Sequence, residues 1–115
     1  MFDNLKNLAN LPGVLAKARE MQEKMQQIQA GLAEKQVTAD AGGGMVEAVV
    51  NGRMELVRVR IDRARVPDLT DTEMLEELIV AAVSAAQRKA AEMVQQEMQK
   101  AASDLGLPPG MLPGQ

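Results

Sequence analysis

The sequence predicts an α+β fold in which one helix precedes and a long helix follows a three-stranded antiparallel β-meander. Apolar residues recur at helical spacing over residues 11–35, alternate with polar ones over 36–62, and return to helical spacing over 71–104. With 115 residues the chain has the length of one small domain. We therefore predict a single domain over residues 1–105 and a flexible tail rich in Pro and Gly over 106–115.

The first helix is predicted from a heptad seam whose members are separated alternately by three and four residues. They are Leu11, Val14, Ala18, Met21, Met25, Ile28 and Leu32. Pro12 and Gly13 mark the entry, and Glu20 precedes Lys24 by four residues, the favourable order for an ion pair on a helix. A Met-rich stripe of this kind is typical of a packing or dimer seam, and a groove for varied peptides is the alternative.

Three strands are predicted in the centre, joined by two turns that contain glycine. Val37 and Ala39 begin the first strand, and three consecutive glycines at 42–44 turn the chain into the second. Asn51-Gly52 predicts a type I′ hairpin, which needs a positive φ at both central residues. Two-residue and four-residue turns both fit, and both leave the same side chains on each face. One face is apolar, with Val46, Ala48, Val50, Val57, Val59 and Ile61; the other carries Met45, Glu47, Val49, Leu56, Arg58 and Arg60.

The long second helix is predicted to begin with a capping box, in which Thr70 and Glu73 satisfy free backbone donors. Its apolar stripe consists of Leu75, Ile79, Ala82, Ala86, Ala90, Met93, Val94, Met98, Ala101 and Leu105. Gly106 ends the helix, and the following prolines prevent its continuation. One small sheet cannot cover two such helices. We expect exposed apolar stripes at the Met-rich end of the first helix and along the distal half of the second, which a two-fold dimer would bury.

The amino-acid composition excludes several kinds of catalytic and metal-binding site. The chain has no cysteine and no histidine, and so lacks thiolate nucleophiles, thiolate metal sites and the usual acid–base group near neutral pH. A P-loop would need a Lys and a Ser or Thr after the glycines, where Met45 and a strand follow instead. Ser84 and Ser103 lie in the predicted long helix without a base, and Glu76 with Glu77 fits a solvated helix start.

These exclusions predict a protein that is not an enzyme and has no cofactor, metal or small-molecule substrate. A hard-cation site at Asp68, Asp71 and Glu73 is conceivable but lacks the spacing of an EF-hand. The sequence contains no predicted membrane span or signal peptide, and we expect a cytoplasmic protein with no membrane partner.

Charge is unevenly distributed along a chain whose net charge is −3. Five arginines lie over residues 53–65 against two acidic residues, and five acidic residues without a basic one lie over 66–77. Either the two segments neutralise each other in the fold, or the arginines form a basic patch that a dimer would double. The acidic pI of about 5.0 and the absence of Trp and Tyr speak against a base-stacking nucleic-acid platform.

Several segments, taken in order, resemble a known family. They are an MF start, AREMQEKMQ in the first helix, GGGMVEAVVNG and VRVRID in the strands, DTEMLEELIVAAVSAAQRKAAE in the long helix, and LPPGM in the tail. Together they cover nearly the whole chain, and on them the chain resembles the YbaB/EbfC family of bacterial nucleoid-associated proteins. Arg63 stands where that family usually has Pro, and Ser84-Ala85 where it usually has Asn-Asp.

The resemblance implies a homodimer, intertwined or sheet-to-sheet, with protruding, tweezer-like helices. Such a dimer binds double-stranded DNA in the nucleoid, bridges or bends it and influences nucleoid organisation and gene expression. The DNA contacts implied by the family are basic residues on the helices, here Lys17, Arg19, Lys24, Arg88 and Lys89. From the arginine-rich segment we add Arg58 and Arg60 as candidate DNA-binding residues. The alternative hypothesis is a protein-interaction module whose Met-rich helical surface recruits a replication or recombination partner.

Overall fold

A computed structural model describes residues 11–104 and 106 of the chain. The elements follow in the predicted order, and their bounds are α1 Leu11–Glu34, β1 Gln36–Ala41, β2 Val46–Asn51, β3 Leu56–Ile61 and α2 Thr72–Asp104. The α+β class and the helix, three-stranded antiparallel sheet and long helix are therefore confirmed. The predicted tail lies outside the described residues, apart from Gly106.

The three strands form one antiparallel sheet in the order β1-β2-β3, and α2 lies across β1 and β2. Small side chains let the helix approach the sheet closely: Ala82, Ala86 and Ala90, spaced by four residues, have no exposed surface. They pack against Ala39, Val46, Ala48 and Val50 in the buried cluster. The core thus sits under β1 and β2, and β3 lies at the margin of the helix.

The glycines at 42–44 form the turn between β1 and β2, as predicted. All three have a positive φ, at 66°, 65° and 90°, in the left-handed region that side chains other than glycine rarely adopt. Arg65 braces this turn, because its Nη1 donates to the Gly43 carbonyl at 3.1 Å and its Nε donates to Asp62 at 3.1 Å. The triple glycine is therefore a strand connection.

The hairpin between β2 and β3 differs from both predicted turns. The Asn51 N–H donates to the Glu55 carbonyl at 3.0 Å, and the Met54 N–H donates to the Asn51 carbonyl at 3.0 Å, which encloses a three-residue loop. Met54, with φ 63°, adopts the left-handed conformation there, and Gly52 has no positive φ. The type I′ prediction is wrong, and the loop matches the three-residue class that ends in a left-handed residue.

A β-bulge follows in β3 and restores the predicted faces. Val50 lies opposite Leu56 and Val49 opposite Arg58, so Val57 is the extra residue. Beyond the bulge, Ala48 faces Val59 and Val46 faces Ile61, as the alternation predicts. Leu56, predicted on the opposite face, instead lies opposite Val50, beside the bulged residue.

The start of α2 also departs from the predicted capping box. Asp71 is the N-cap, because its carboxylate accepts the Met74 N–H at 3.1 Å. Thr70 instead donates both its N–H and its hydroxyl to Asp68, at 2.9 and 2.6 Å. At the other end Gly106, with φ 71°, donates to the Ser103 carbonyl at 3.1 Å and closes the helix as predicted.

The C-terminal end of α1 lies near the distal half of α2, where the Lys35–Glu97 ion pair joins the two and residues of both line one groove. Leu32 is buried, Met21, Met25 and Ile28 are half-buried, and Ala101 of α2 is also buried. The apolar stripes of these halves are thus partly covered within one chain, and not fully open to water as expected. The N-terminal half of α1 stays exposed, with Leu11, Val14 and Leu15 at 44%, 58% and 51% of their surface.

Gly52 is the point where the hairpin meets the end of α1. Its N–H donates to the carbonyls of Leu32 and Lys35, at 2.9 and 3.0 Å. A Cβ at this position would overlap the Leu32 carbonyl oxygen and lie 2.8 Å from the Leu32 Cβ. Only glycine lets the hairpin and the helix end approach this closely, so Gly52 serves packing.

We predict that Gly52→Ala lowers the free energy of unfolding by about 1–3 kcal/mol, because the helix end must move to admit the methyl group. The matched control is Gly31→Ala, in the interior of α1, where an added Cβ meets no atom within 4 Å. That change should raise the stability by about 0.5–1 kcal/mol through helix propensity. Urea unfolding followed by circular dichroism measures both. Equal effects of the two substitutions would contradict the close contact at Gly52.

Candidate nucleic-acid interface

The candidate cations of α1 lie on the part of the helix that extends away from the sheet. Lys17 and Arg19 are exposed, and neither forms an ion pair with any residue of the described chain. Lys24, one heptad after Lys17, pairs with Glu20 at 3.5 Å, as the sequence predicts. The pair is about half exposed and contributes little to stability, so Lys24 can exchange Glu20 for a phosphate at small cost.

The two candidates on α2 differ in their surroundings. Arg88 is exposed. Lys89 reaches back to the sheet, where its ammonium donates to the Thr38 carbonyl of β1 at 2.9 Å. Lys89 is therefore a structural link between helix and sheet as well as a surface cation, a role that the sequence does not reveal.

Arg58 and Arg60 are exposed on β3, two residues apart and so on one face of the sheet. They point away from the face on which α2 packs, because their neighbours Val59 and Ile61 lie opposite the core residues Ala48 and Val46. Across the sheet Arg58 lies opposite Val49, and Arg60 lies opposite Glu47. This outer face is the one on which β3 presents its charge.

The arginine-rich segment and the acidic segment that follows it do not neutralise each other. The ion pairs of the arginine-rich segment stay within it: Arg65 pairs with Asp62 at 3.1 Å and Arg53 approaches Glu55 at 3.9 Å. Among the acidic residues, Asp68 accepts hydrogen bonds from Thr70, which lower the pKa of its carboxyl group. Within the described part of the chain, Arg58 and Arg60 form no ion pair.

A groove of about 480 Å³ between α1 and α2 is lined by further charged side chains. Lys24 lines it together with Lys35 and Lys100, two cations that the sequence analysis did not select. A signal for Lys35 existed, since it follows Lys17 by 18 residues, five full helical turns. Lys100 had no such signal, because its position beside α1 depends on how the two helices pack.

Glu97 sits in the same groove and pairs with Lys35. The hydrogen bond from Lys35 lowers the pKa of the Glu97 carboxyl group, and partial burial opposes that shift. This ion pair joins the end of α1 to the distal half of α2. It also occupies Lys35, so this lysine is less available to a ligand than its neighbours.

The described residues form neither a metal site nor a membrane-spanning helix. The conceivable hard-cation residues have other roles, because Asp68 binds Thr70 and Asp71 caps α2. Over residues 11–104 no cluster of three or more acidic side chains is arranged to hold a metal ion. Neither described helix has a stretch that is apolar enough to cross a membrane.

The two helices and the sheet therefore present a set of separated, exposed Lys and Arg side chains.

The sequence matches the model of the YbaB/EbfC DNA-binding family over residues 6–105. The chain belongs to this family. The YbaB/EbfC family is a nucleoid-associated DNA-binding family and not an enzymatic one, which confirms the predicted class and the prediction that the chain is not an enzyme.

Several proteins similar to this chain are also described as nucleoid-associated proteins. A nucleoid-associated protein of Syntrophobacter fumaroxidans is 49% identical over 100 residues, which cover 87% of this chain and 90% of the relative. One of Thermoanaerobacter sp. strain X514 is 46% identical, with 86% and 88% covered. One of Granulibacter bethesdensis is 43% identical, with 90% and 96% covered.

A solved structure also resembles the YbaB/EbfC chain. The crystal structure of the uncharacterized protein HP0035 from Helicobacter pylori matches with a TM-score of 0.55 and 25% sequence identity. The match covers 69% of this chain and 90% of that one. The similarity therefore extends over most of the smaller protein and supports the shared fold.

We predict that Glu97→Gln destabilises the chain near neutral pH and that this difference disappears in acid. Because Lys35 lowers the folded-state pKa of Glu97, the stabilisation is complete above the ordinary glutamate pKa of about 4.3 and is lost as the pH falls through the lowered value. Thermal unfolding of both proteins between about pH 7 and pH 3 measures it. Glu92→Gln, an exposed change on the same helix, is the control. A destabilisation by Glu97→Gln that stays constant with pH would contradict the ion pair.

Proposed function

We propose that the chain binds double-stranded DNA as a homodimer with low sequence specificity, in the nucleoid of the bacterial cytoplasm. By holding two DNA segments, or one curved segment, it bridges or bends DNA and so influences nucleoid organisation and gene expression. Membership of the YbaB/EbfC DNA-binding family carries this proposal. The exposed cations support it, since Lys or Arg side chains that contact phosphates bind DNA with little regard to sequence.

The proposed contacts come from three surfaces. Lys17, Arg19 and Lys24 lie on α1, Arg88 with Lys89 on α2, and Arg58 with Arg60 on β3. A two-fold dimer presents each surface twice, and two copies of one phosphate-binding surface are the minimum for bridging two duplexes. Contacts between such cations and phosphates fix the position on the backbone and carry no sequence information.

A gel-shift series on a generic duplex at several salt concentrations tests DNA binding. We expect the affinity to fall steeply with salt, because each neutralised phosphate releases counterions, with a slope of about −0.9 per contact. The absence of any shift at low salt would refute the proposal.

We predict that Lys17→Ala, Arg19→Ala and Lys24→Ala together weaken binding to unrelated duplexes alike and reduce the salt slope by about one per lost contact. The control replaces three exposed, neutral residues of the same helix by alanine: Gln22, Gln26 and Gln29. That variant should bind as the wild type does. A loss confined to one DNA sequence would indicate base readout and contradict phosphate binding by α1.

The proposed homodimer is tested by measuring the molar mass in solution. Light scattering, with concentration determined from refractive index because the chain has no Trp or Tyr, should give twice the 12.4 kDa mass of the chain. A mass that stays at one chain across micromolar to millimolar concentrations would refute the homodimer.

The second candidate function is a protein-interaction module. Its support is the apolar surface at the start of α1, where Leu11, Val14 and Leu15 are exposed. A helix that presents such a row can dock into a groove of a replication or recombination protein. A partner retained after nuclease treatment, together with failed gel shifts, would favour this function over DNA binding.

A further inference from the structure

The helix α1 is fastened to the sheet at its C-terminal end. One residue, Lys35, separates the end of α1 from the start of β1. The Gly52 N–H donates to the carbonyls of Leu32 and Lys35, at 2.9 and 3.0 Å, and so ties the helix end to the hairpin. At the other end of α1, residues 11–20 are all exposed. The helix is therefore an arm that the fold holds at one end.

An open groove separates this arm from the distal half of α2. Its volume is about 480 Å³, and it is lined by residues between positions 24 and 35 of α1 and its connection to β1, and between positions 97 and 104 of α2. Two closely packed helices leave few voids larger than a water molecule between them. Of the apolar residues in the groove, Leu32 is buried and Ile28 is only half-buried. Side-chain packing alone therefore does not fix the angle between α1 and α2.

The Lys35–Glu97 ion pair crosses from the end of α1 to α2. Of the four ion pairs within residues 11–104, the other three each lie within one helix, one hairpin or one loop. A second cation, Lys100, also acts on Glu97, but it belongs to α2 itself and cannot hold the arm. The hydrogen bond from Lys35 lowers the pKa of the Glu97 carboxyl group, so the pair is charged at neutral pH.

We propose that the Lys35–Glu97 ion pair is a salt-sensitive clasp that fixes the direction of α1, and that α1 rotates as a rigid arm about residue 35 when the clasp is broken. The length of the helix magnifies a small rotation. Residues 16–35 extend over about 28 Å, so a rotation of roughly 20° moves the outer end by about 10 Å. The arm carries Lys17 and Arg19, and the clasp therefore sets the distance between these cations and those of the sheet.

The exposure of the clasp makes it sensitive to salt. The side chains of Lys35 and Glu97 keep 46% and 30% of their surface exposed. Exposed ion pairs are weak, and the range of their attraction falls from about 10 Å at 0.1 M salt to about 3 Å at 1 M. Such a contact is too weak to hold the fold together, but it can select one direction of an arm that is fastened at one end. The hydrogen bonds of Gly52 lie at the hinge itself, so they keep the helix end in place while the direction changes.

Electron–electron double resonance between two nitroxide labels measures the direction of the arm. Because the chain has no cysteine, Ala16→Cys on α1 and Ser103→Cys on α2 introduce two defined label positions, both exposed. An excess of unlabelled protein restricts the measured distances to those within one chain. At low salt the labelled protein should give one narrow distance distribution. Glu97→Gln should broaden it and shift its mean by several ångströms, whereas Glu92→Gln, an exposed change on the same helix, should leave it narrow.

Charge reversal distinguishes the ion pair from other effects of these substitutions. Lys35→Glu and Glu97→Lys should each broaden the distribution as Glu97→Gln does. The double variant, in which the two charges are exchanged, should restore the narrow distribution. A side chain that acts only through its shape or packing would not be rescued by this exchange.

Salt gives a third, independent comparison. Raising the salt from about 0.1 M to about 1 M should broaden the distribution of the protein with the native pair and leave that of Glu97→Gln unchanged, because only the former has an ion pair to screen. Circular dichroism should show equal helix content in all variants, since the arm rotates without unfolding.

A Glu97→Gln distribution as narrow as that of the native pair would overturn the clasp, and so would a double variant as broad as the two single ones. A loss of helix content that accompanies the broadening would overturn the rigid rotation. These measurements contain no DNA, so their outcome does not depend on the proposed function.

Discussion

The close approach of α2 to β1 and β2 is the constraint on which the rest of the structure depends. Ala82, Ala86 and Ala90 form a ridge of small side chains that are fully buried against the sheet. A helix about 10 Å across covers about two strands that lie about 4.8 Å apart, so the third strand is left at its margin. A sheet of three strands is thus covered over two of them.

Two surfaces follow from that narrow contact. On one side β3 extends past the helix, with apolar residues on its inner face and Arg58 and Arg60 on its outer face. At the far end the Lys35–Glu97 pair joins the end of α1 to α2, and Leu32 of α1 contacts Gly52 in the hairpin. The arrangement keeps the beginning of α1, with Lys17 and Arg19, exposed.

The sequence predicted the elements well because their signals are local. Hydrophobic period alone located both helices and the faces of β2, and three adjacent glycines identified their turn. The predictions failed where contacts between distant parts of the chain override the local sequence signals. Gly52 lies in the turn without the predicted positive φ and packs against the Leu32 backbone, and Met54 takes the left-handed conformation. Lys100 lies in one groove with Lys24 only because the end of α1 comes near α2, which no local spacing encodes.

The position of each charge explains how a chain of net charge −3 can belong to a DNA-binding family. Several carboxylates act locally, since Asp71 caps α2, Asp62 holds Arg65 and Glu97 holds Lys35. At physiological salt, the interaction between exposed charges is largely screened beyond about 8–10 Å. A phosphate therefore interacts mainly with the side chains beside it and not with the net charge of the chain. Two exposed arginines on one sheet face can therefore attract an anion locally although the molecule as a whole is acidic. The proposed phosphate contacts carry no sequence information, and the chain has no Trp or Tyr for stacking on bases, so binding of the proposed kind would not distinguish one sequence from another.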